Sequence, residues 1–147
     1  MKLQGKRVLI TGAGGFLGRA FCRVLSAEGA LVQGSLHKRP LVEGIVPYPW
    51  SLEQPEEAWP LVEASNPSHV VHLAAPVNLN RDPNLKETMQ RQIVEATEQL
   101  ALACEDRGIP LLVAGTCEEY GDQMAPFSED MPTAGVSPYS RAKAQST

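Results

Sequence analysis

The sequence predicts an α/β fold: a doubly wound parallel sheet with helices on both faces, incomplete at its C-terminal end. Three observations carry this expectation. Short apolar runs alternate with longer amphipathic ones along the chain, the pattern of successive βαβ crossovers. A glycine-rich turn, Thr11-Gly12-Ala13-Gly14-Gly15-Phe16-Leu17-Gly18, separates the first apolar run from the first amphipathic one. The run His69-Val70-Val71-His72-Leu73 does not alternate with polar residues, as suits a strand covered on both faces.

Taken in order, Arg7 to Thr11 is a β-rich run and predicts the first strand. Phe16 to Glu28 places Phe16, Leu17, Ala20, Phe21, Val24 and Leu25 at helical spacing, and Gly29 ends that helix. Ala30 to Gly34 predicts the second strand. A weak third strand is expected around Ile45 and Val46, cut short by Pro47 and Pro49. Glu53 to Ser65 has helical character but carries Pro55 and Pro60; a helix can open at either proline and does not run smoothly through the second. His69 to Leu73 is the fourth strand. A long amphipathic helix is expected from about Leu85 to Arg107, ended by Gly108 and Pro110, and Leu111 to Ala114 is the fifth strand. Gly115 to Ser137 is loop-rich, and Pro138 opens one more helix. Five strands are fewer than a full doubly wound sheet holds.

A chain of 147 residues suggests one domain. The net charge of −4, with no dense basic tract, argues against a nucleic-acid partner. Cys22, Cys104 and Cys117 cannot all pair with one another and lack metal-ligand spacing, so no metal site is expected and the chain reads as cytoplasmic. The N-terminal segment is too weakly apolar for a secretory signal, and no later segment approaches a membrane span.

The glycine-rich turn carries the most specific chemistry. Gly12 permits a tight turn, Gly15 lets the backbone approach a pyrophosphate, and Gly18 lets helix and strand pack closely. The helix N-terminus offers free N–H groups and a positive dipole end to the phosphates, with Phe16 and Leu17 in its first turn. A P-loop is the competing phosphate motif, but no Gly-Lys-Ser/Thr follows. The TGxxGxxG form resembles that of the extended short-chain dehydrogenase/reductases, the NAD-dependent epimerase/dehydratase family. The resemblance implies a Rossmann-type domain over residues 1–147 that binds NAD or NADP.

Which of the two it binds is read from the end of the second strand. A carboxylate there would bond the ribose of NAD. Here the segment is Gly34-Ser35-Leu36-His37-Lys38-Arg39, with no acid between Glu28 and Glu43. His37, Lys38 and Arg39 favour a 2′-phosphate, and hence NADP over NAD; a solvated basic loop is the plainer alternative. An acidic residue that often contacts adenine in the family has only Ser51-Leu52 as its counterpart.

Further along, His72-Leu73-Ala74-Ala75 matches the family's segment after the fourth strand, making Leu73, Ala74 and Ala75 cofactor neighbours; His72, on an apolar strand, reads as structural. Tyr139-Ser140-Arg141-Ala142-Lys143 is YxxxK, which puts both side chains on one helix face. A lysine ammonium beside the phenol is expected to lower its pKa and suit Tyr139 to general-base work, while Lys143 holds the nicotinamide ribose. Thr116-Cys117-Glu118-Glu119-Tyr120-Gly121 resembles the family's Ser/Thr-x-x-x-Tyr-Gly segment, so the resemblance gives Thr116 the substrate oxygen. Dehydratases of the family follow this hydroxyl with an Asp-Glu pair. Cys117-Glu118 stands here, so Glu118 can serve as a base, but the acid is missing. Dehydration is disfavoured, and epimerase or reductase chemistry on a nucleotide sugar is expected.

The resemblance covers only about the first half of a typical family member. The chain therefore reads as truncated, with the substrate-binding region absent and activity on its own not expected. The alternative is a non-catalytic dinucleotide-binding or interaction module, or an inactive gene fragment. An unfinished sheet exposes an edge, so self-association into a homo-oligomer is a further expectation.

Overall fold

A computed structural model describes residues 3–147. Five strands form one parallel sheet in the order β3-β2-β1-β4-β5: β1 (Arg7–Thr11), β2 (Leu31–Leu36), β3 (Val46–Pro49), β4 (His69–His72) and β5 (Leu111–Val113). The first helix, α1 (Phe16–Ala27), covers one face; α2 (Ala58–Ser65) and α4 (Ala96–Asp106) pack together on the other. The fold is the expected doubly wound, Rossmann-type sheet.

Each face has its own core. Leu9, Val70, Leu61, Val62 and Leu100 meet with Trp50 beneath α2 and α4, while Val8, Ile10, Val32 and Cys22 meet beneath α1. Alternate residues of β1 thus serve opposite faces, as strand geometry requires. Burying a side chain such as Leu9 or Leu100 removes its whole apolar surface from water, which is worth about 1.5–3 kcal/mol each.

Four local details differ from the sequence expectations. The apolar positions of α1 do not form its buried stripe: Gly18, Cys22 and the partly buried Leu25 face the sheet, whereas Phe16, Leu17, Ala20, Phe21 and Val24 are exposed. Helical spacing recorded two adjacent apolar faces, and the close approach at Gly18 decides which one meets the sheet. The third strand runs through both prolines, because β3 lies at the sheet edge, where Pro47 and Pro49 pair with Gly34 and Leu36. A 3₁₀ turn opens at Pro55, and α2 begins at Ala58, so Pro60 falls in a first turn that lacks intrahelical acceptors for its N–H groups.

The fourth difference lies in the expected long helix. It consists of α3 (Lys86–Met89), a π segment at Gln90–Glu95, and α4 in direct succession. The last helix, α5 (Pro138–Ser146), is capped reciprocally by Ser137 and Ser140, with Pro138 in its first turn. At 9 residues it depends on packing, which Tyr139 and Ala142 supply against Met89, Ile93 and Val94.

Candidate functional site

The glycine turn between β1 and α1 forms one end of an open cleft of about 660 Å³. Gly12 sits at φ +69°, and a Cβ there would lie 2.9 Å from the Ala74 backbone nitrogen, so this position favours glycine on both grounds. At Gly18 a Cβ would lie 2.7 Å from Ala13 Cα, because the first turn of α1 sits directly against the backbone of the glycine turn. Gly15 is the N-cap of α1 and no side chain caps that end, leaving its N–H groups for an anion.

Every residue expected to neighbour the cofactor in these segments lines the cleft: Gly12, Gly15, Phe16, Leu17 and Gly18 from the turn, His37, Lys38 and Arg39 after β2, and Leu73, Ala74 and Ala75 after β4. Gly14, Ser35, Trp50, Glu53 and Gln92 line it as well and were not singled out by sequence. Ser35 Oγ accepts from the Gly12 N–H at 3.1 Å and so braces the turn. Gln92 arrives from the π segment, a local rearrangement that periodicity does not register. Glu53 lies 3.9 Å from the Lys38 ammonium, both side chains being largely exposed. Ser51 and Leu52 also form part of the wall. The free helix end, the glycine cradle and the flanking cations suit a dinucleotide diphosphate.

Beneath the cleft, His72 is buried and bridges two elements. Its Nδ1 lies 2.6 Å from Thr11 Oγ1 and its Nε2 lies 3.1 Å from Thr97 Oγ1. The Ala74 N–H donates to Thr11 Oγ1 at 3.2 Å, so the Thr11 hydroxyl joins the His72 ring to the backbone that follows β4. Burial, aided by the charge on Lys143, lowers the His72 pKa to about 4, and the ring is neutral. The structural reading of His72 fits this placement.

The residues expected to be catalytic lie outside the cleft lining, in a cluster at the C-terminal end of β5. Tyr139 and Lys143 project from α5 and are buried. Thr116 opens the turn after β5, where its hydroxyl accepts from the Glu118 N–H at 3.3 Å. Ala75 connects the two regions: it lines the cleft and packs against the cluster that contains Tyr139.

One electrostatic expectation is reversed. The Tyr139 pKa is raised, first by burial and further by Glu118, Glu119 and Cys117, with hydrogen bonding to Thr116 acting the other way. Lys143 does not offset this, because its Nζ donates at 2.6 Å to the Ala114 carbonyl. The Lys143 pKa is itself lowered by burial, against an upward pull from Glu119. YxxxK spacing put both groups on one helix face but could not show where the long lysine side chain ends.

Cys22 and Cys104 are buried and Cys117 is exposed, all three as free thiols. Among the described residues no group of three His, Cys, Asp or Glu could hold a metal ion, and no helix is long and apolar enough to cross a membrane.

Comparison with known proteins adds a family. The NAD dependent epimerase/dehydratase family matches residues 8–147. Among solved structures, the Bordetella bronchiseptica enzyme WbmG in complex with NAD and UDP is 25% identical with a TM-score of 0.82, covering 97% of this chain and 48% of its own. MoeE5 in complex with UDP-glucose and NAD is 30% identical with a TM-score of 0.83, covering 95% of this chain and 46% of its own. A short-chain dehydrogenase/reductase superfamily protein from Agrobacterium tumefaciens with bound NAD is 28% identical with a TM-score of 0.82, covering 95% of this chain and 42% of its own. The chain therefore spans less than half the length of these structures. No curated protein matches it in sequence.

Proposed function

Since the chain belongs to the NAD-dependent epimerase/dehydratase family, we propose that it is the dinucleotide-binding, proton-transferring part of an oxidoreductase that acts on nucleotide sugars by epimerase or reductase chemistry. The observation that carries this reading is Ala75, which lines the glycine-loop cleft and packs on the cluster holding Tyr139. A nicotinamide held there would supply the hydride chemistry. The chain's own groups handle the proton and the geometry. The α1 N-terminus binds the diphosphate, and Ala74 and Ala75 let the backbone pass beside the nicotinamide. Thr116, whose oxygen accepts from Glu118 N–H and whose hydroxyl bonds Tyr139, would turn its proton to a substrate oxygen. Tyr139 takes the substrate hydroxyl proton. Lys143 holds the nicotinamide ribose once it turns from the Ala114 carbonyl, and its charge then favours the phenolate.

The substrate class is supported by WbmG and MoeE5, whose structures hold UDP and UDP-glucose. Cys117 in place of a carboxylic acid argues against dehydration. NADP is proposed over NAD from His37, Lys38 and Arg39 at the cleft and the lack of an acid at the end of β2. The structures named above hold NAD, so this preference rests on the basic trio alone. Residues 1–147 are proposed as the cofactor-binding part, with the sugar-binding region supplied by further chain, and a cytoplasmic location accords with three free thiols.

A second reading, dinucleotide binding without catalysis, draws support from the raised Tyr139 pKa and from Lys143 facing Ala114. Titration with NADPH and NADH, followed by nucleotide fluorescence, tests the shared premise. Saturable binding favouring NADPH supports it, and absence of binding to either removes it. Equal affinity removes the NADP preference alone.

A further inference from the structure

We infer that Glu119 is a positioning residue, whose carboxylate fastens the turn carrying Thr116 to the helix carrying Tyr139 and faces Lys143 with its negative charge. This rests on the reading of Thr116, Tyr139 and Lys143 as the reacting cluster. The sequence singled out Glu118 instead, because a base follows the hydroxyl residue in the family's dehydratases.

The two carboxylate oxygens of Glu119 are divided between two elements. Oε1 accepts the Thr116 backbone N–H at 2.9 Å, completing a reciprocal cap in which the Thr116 hydroxyl serves the other N–H groups of the turn. The Thr147 hydroxyl, just past the end of α5, lies 3.1 Å from Oε2 and 2.8 Å from the Lys143 carbonyl, so these two acceptors share its one proton. The Glu119 backbone carbonyl also receives the Ala134 N–H at 2.7 Å, drawing in the loop that leads to α5. Glu119 is therefore bonded to both segments that carry reacting groups, and to the loop between them.

Its charge acts in the same place. Lys143 is buried, and Glu119 supplies the upward pull on the lysine pKa that opposes burial. The other ionisable groups around Lys143 do not supply a counter-charge. Tyr139, on the same helix, has a raised pKa, and His72, on β4, titrates at about 4, so both are neutral at pH 7. Glu118 and Cys117, on the turn, act on Tyr139. Keeping Lys143 protonated matters because a neutral amine would neither favour phenolate at Tyr139 nor hold a ribose by charge-assisted bonds.

The test is to titrate Lys143 by NMR with ¹³C-labelled lysine, its signal assigned by its loss in Lys143→Arg. Wild type is compared with Glu119→Gln, which keeps an acceptor for the Thr116 N–H but removes the charge, and with Glu118→Gln. The Lys143 midpoint is expected to move to lower pH in E119Q and to stay in place in E118Q. An unchanged midpoint in folded E119Q overturns the inference, as does an equal shift in E118Q. Should E119Q not fold, Glu119→Asp keeps the charge but draws it back from α5; a lower midpoint supports the inference and an unchanged one overturns it. Titrating the same wild-type sample with NADPH separates the two readings. Failure to bind would count against the cofactor site, while the midpoint comparison would still judge Glu119.

Discussion

Lys143 Nζ donates a 2.6 Å hydrogen bond to the Ala114 carbonyl, so one side chain ties α5 to the residue that follows β5. This bond holds a cation in a buried place, and burial lowers its pKa below the 10.5 of a free lysine. The folded form therefore releases its proton at lower pH than the unfolded chain does. Between those two values the unfolded state binds more protons, so stability rises with pH. Tyr139 acts in the opposite sense only above the 10.0 of a free tyrosine, since its raised pKa keeps the folded form protonated there. Urea midpoints measured from pH 8 to 10 are expected to rise in wild type relative to Lys143→Met. Parallel curves for the two proteins would show that Lys143 is not held as a buried cation.

His72 gives an acid-side counterpart. Its pKa is about 4 in the fold against 6.5 for a free histidine, so the unfolded state binds the extra proton between these values. Stability should fall as pH drops from 6.5 to 4, by up to about 3 kcal/mol from this residue. Protonation would put a charge on a buried ring bonded to both Thr11 and Thr97 and so loosen the strand end that precedes Ala74. Chemical denaturation at pH 7, 5.5 and 4.5 should show a steeper loss in wild type than in His72→Gln. The same slope in both would assign acid sensitivity to other groups.

The glycine turn is expected to tolerate no side chain at its packing position. Gly18→Ala puts a methyl 2.7 Å from Ala13 Cα and 2.8 Å from the Gly12 carbonyl carbon, against backbone that cannot yield locally. Overpacking of this kind costs about 1–3 kcal/mol and displaces the α1 N-terminus from the cleft. Thermal unfolding and NADPH titration should both be impaired. A variant with wild-type stability and affinity would mean that the helix does not approach the turn this closely in solution.

Cofactor choice can be read from three side chains at the mouth of the cleft. Removing two charge-assisted contacts in Lys38→Ala/Arg39→Ala should weaken NADPH binding by about tenfold or more while changing NADH little. Glu53 competes for Lys38 at 3.9 Å, so Glu53→Ala should strengthen NADPH binding by no more than about fivefold, given how exposed the pair is. Equal losses for the two nucleotides in the double variant would leave the basic trio as a solvated loop.

Much of this was legible because backbone requirements leave marks in sequence. β1 matches its expected span of Arg7–Thr11, and the glycine turn falls between that strand and α1 because only glycine suits Gly12 and Gly18. Pro138 and Ser137 open α5 for equally local reasons. What was not legible depends on side-chain reach and neighbours. Glu119 carried no sequence signal of its own, and its part is visible only from its oxygens at Thr116 and Thr147. Lys143 had the right spacing but a different bond. Gln92 reaches the cleft through a π segment that leaves no periodic trace.

The exposed apolar flank of α1 leads to a last prediction. Cys22 faces the sheet, and Arg19 on one side of it reaches the Pro40 carbonyl in the loop between β2 and β3. Phe21 therefore lies on the opposite flank, toward β4 and β5, while Leu17 and Val24 point away from the sheet. On that side Val71 is paired in register with Leu112, and paired residues share a sheet face. Val71 packs into the α1 core, so Leu112 is directed to the same side, where it is 56% exposed on an edge strand. Helix flank and sheet floor make an apolar corner next to an unpaired edge, a combination that promotes association. Sedimentation of the isolated chain should show mass increasing with concentration, and Phe21→Lys or Leu112→Lys should each reduce it without lowering the unfolding midpoint. A chain that stays monomeric throughout, or variants that associate as wild type does, would show that this corner is not a contact surface.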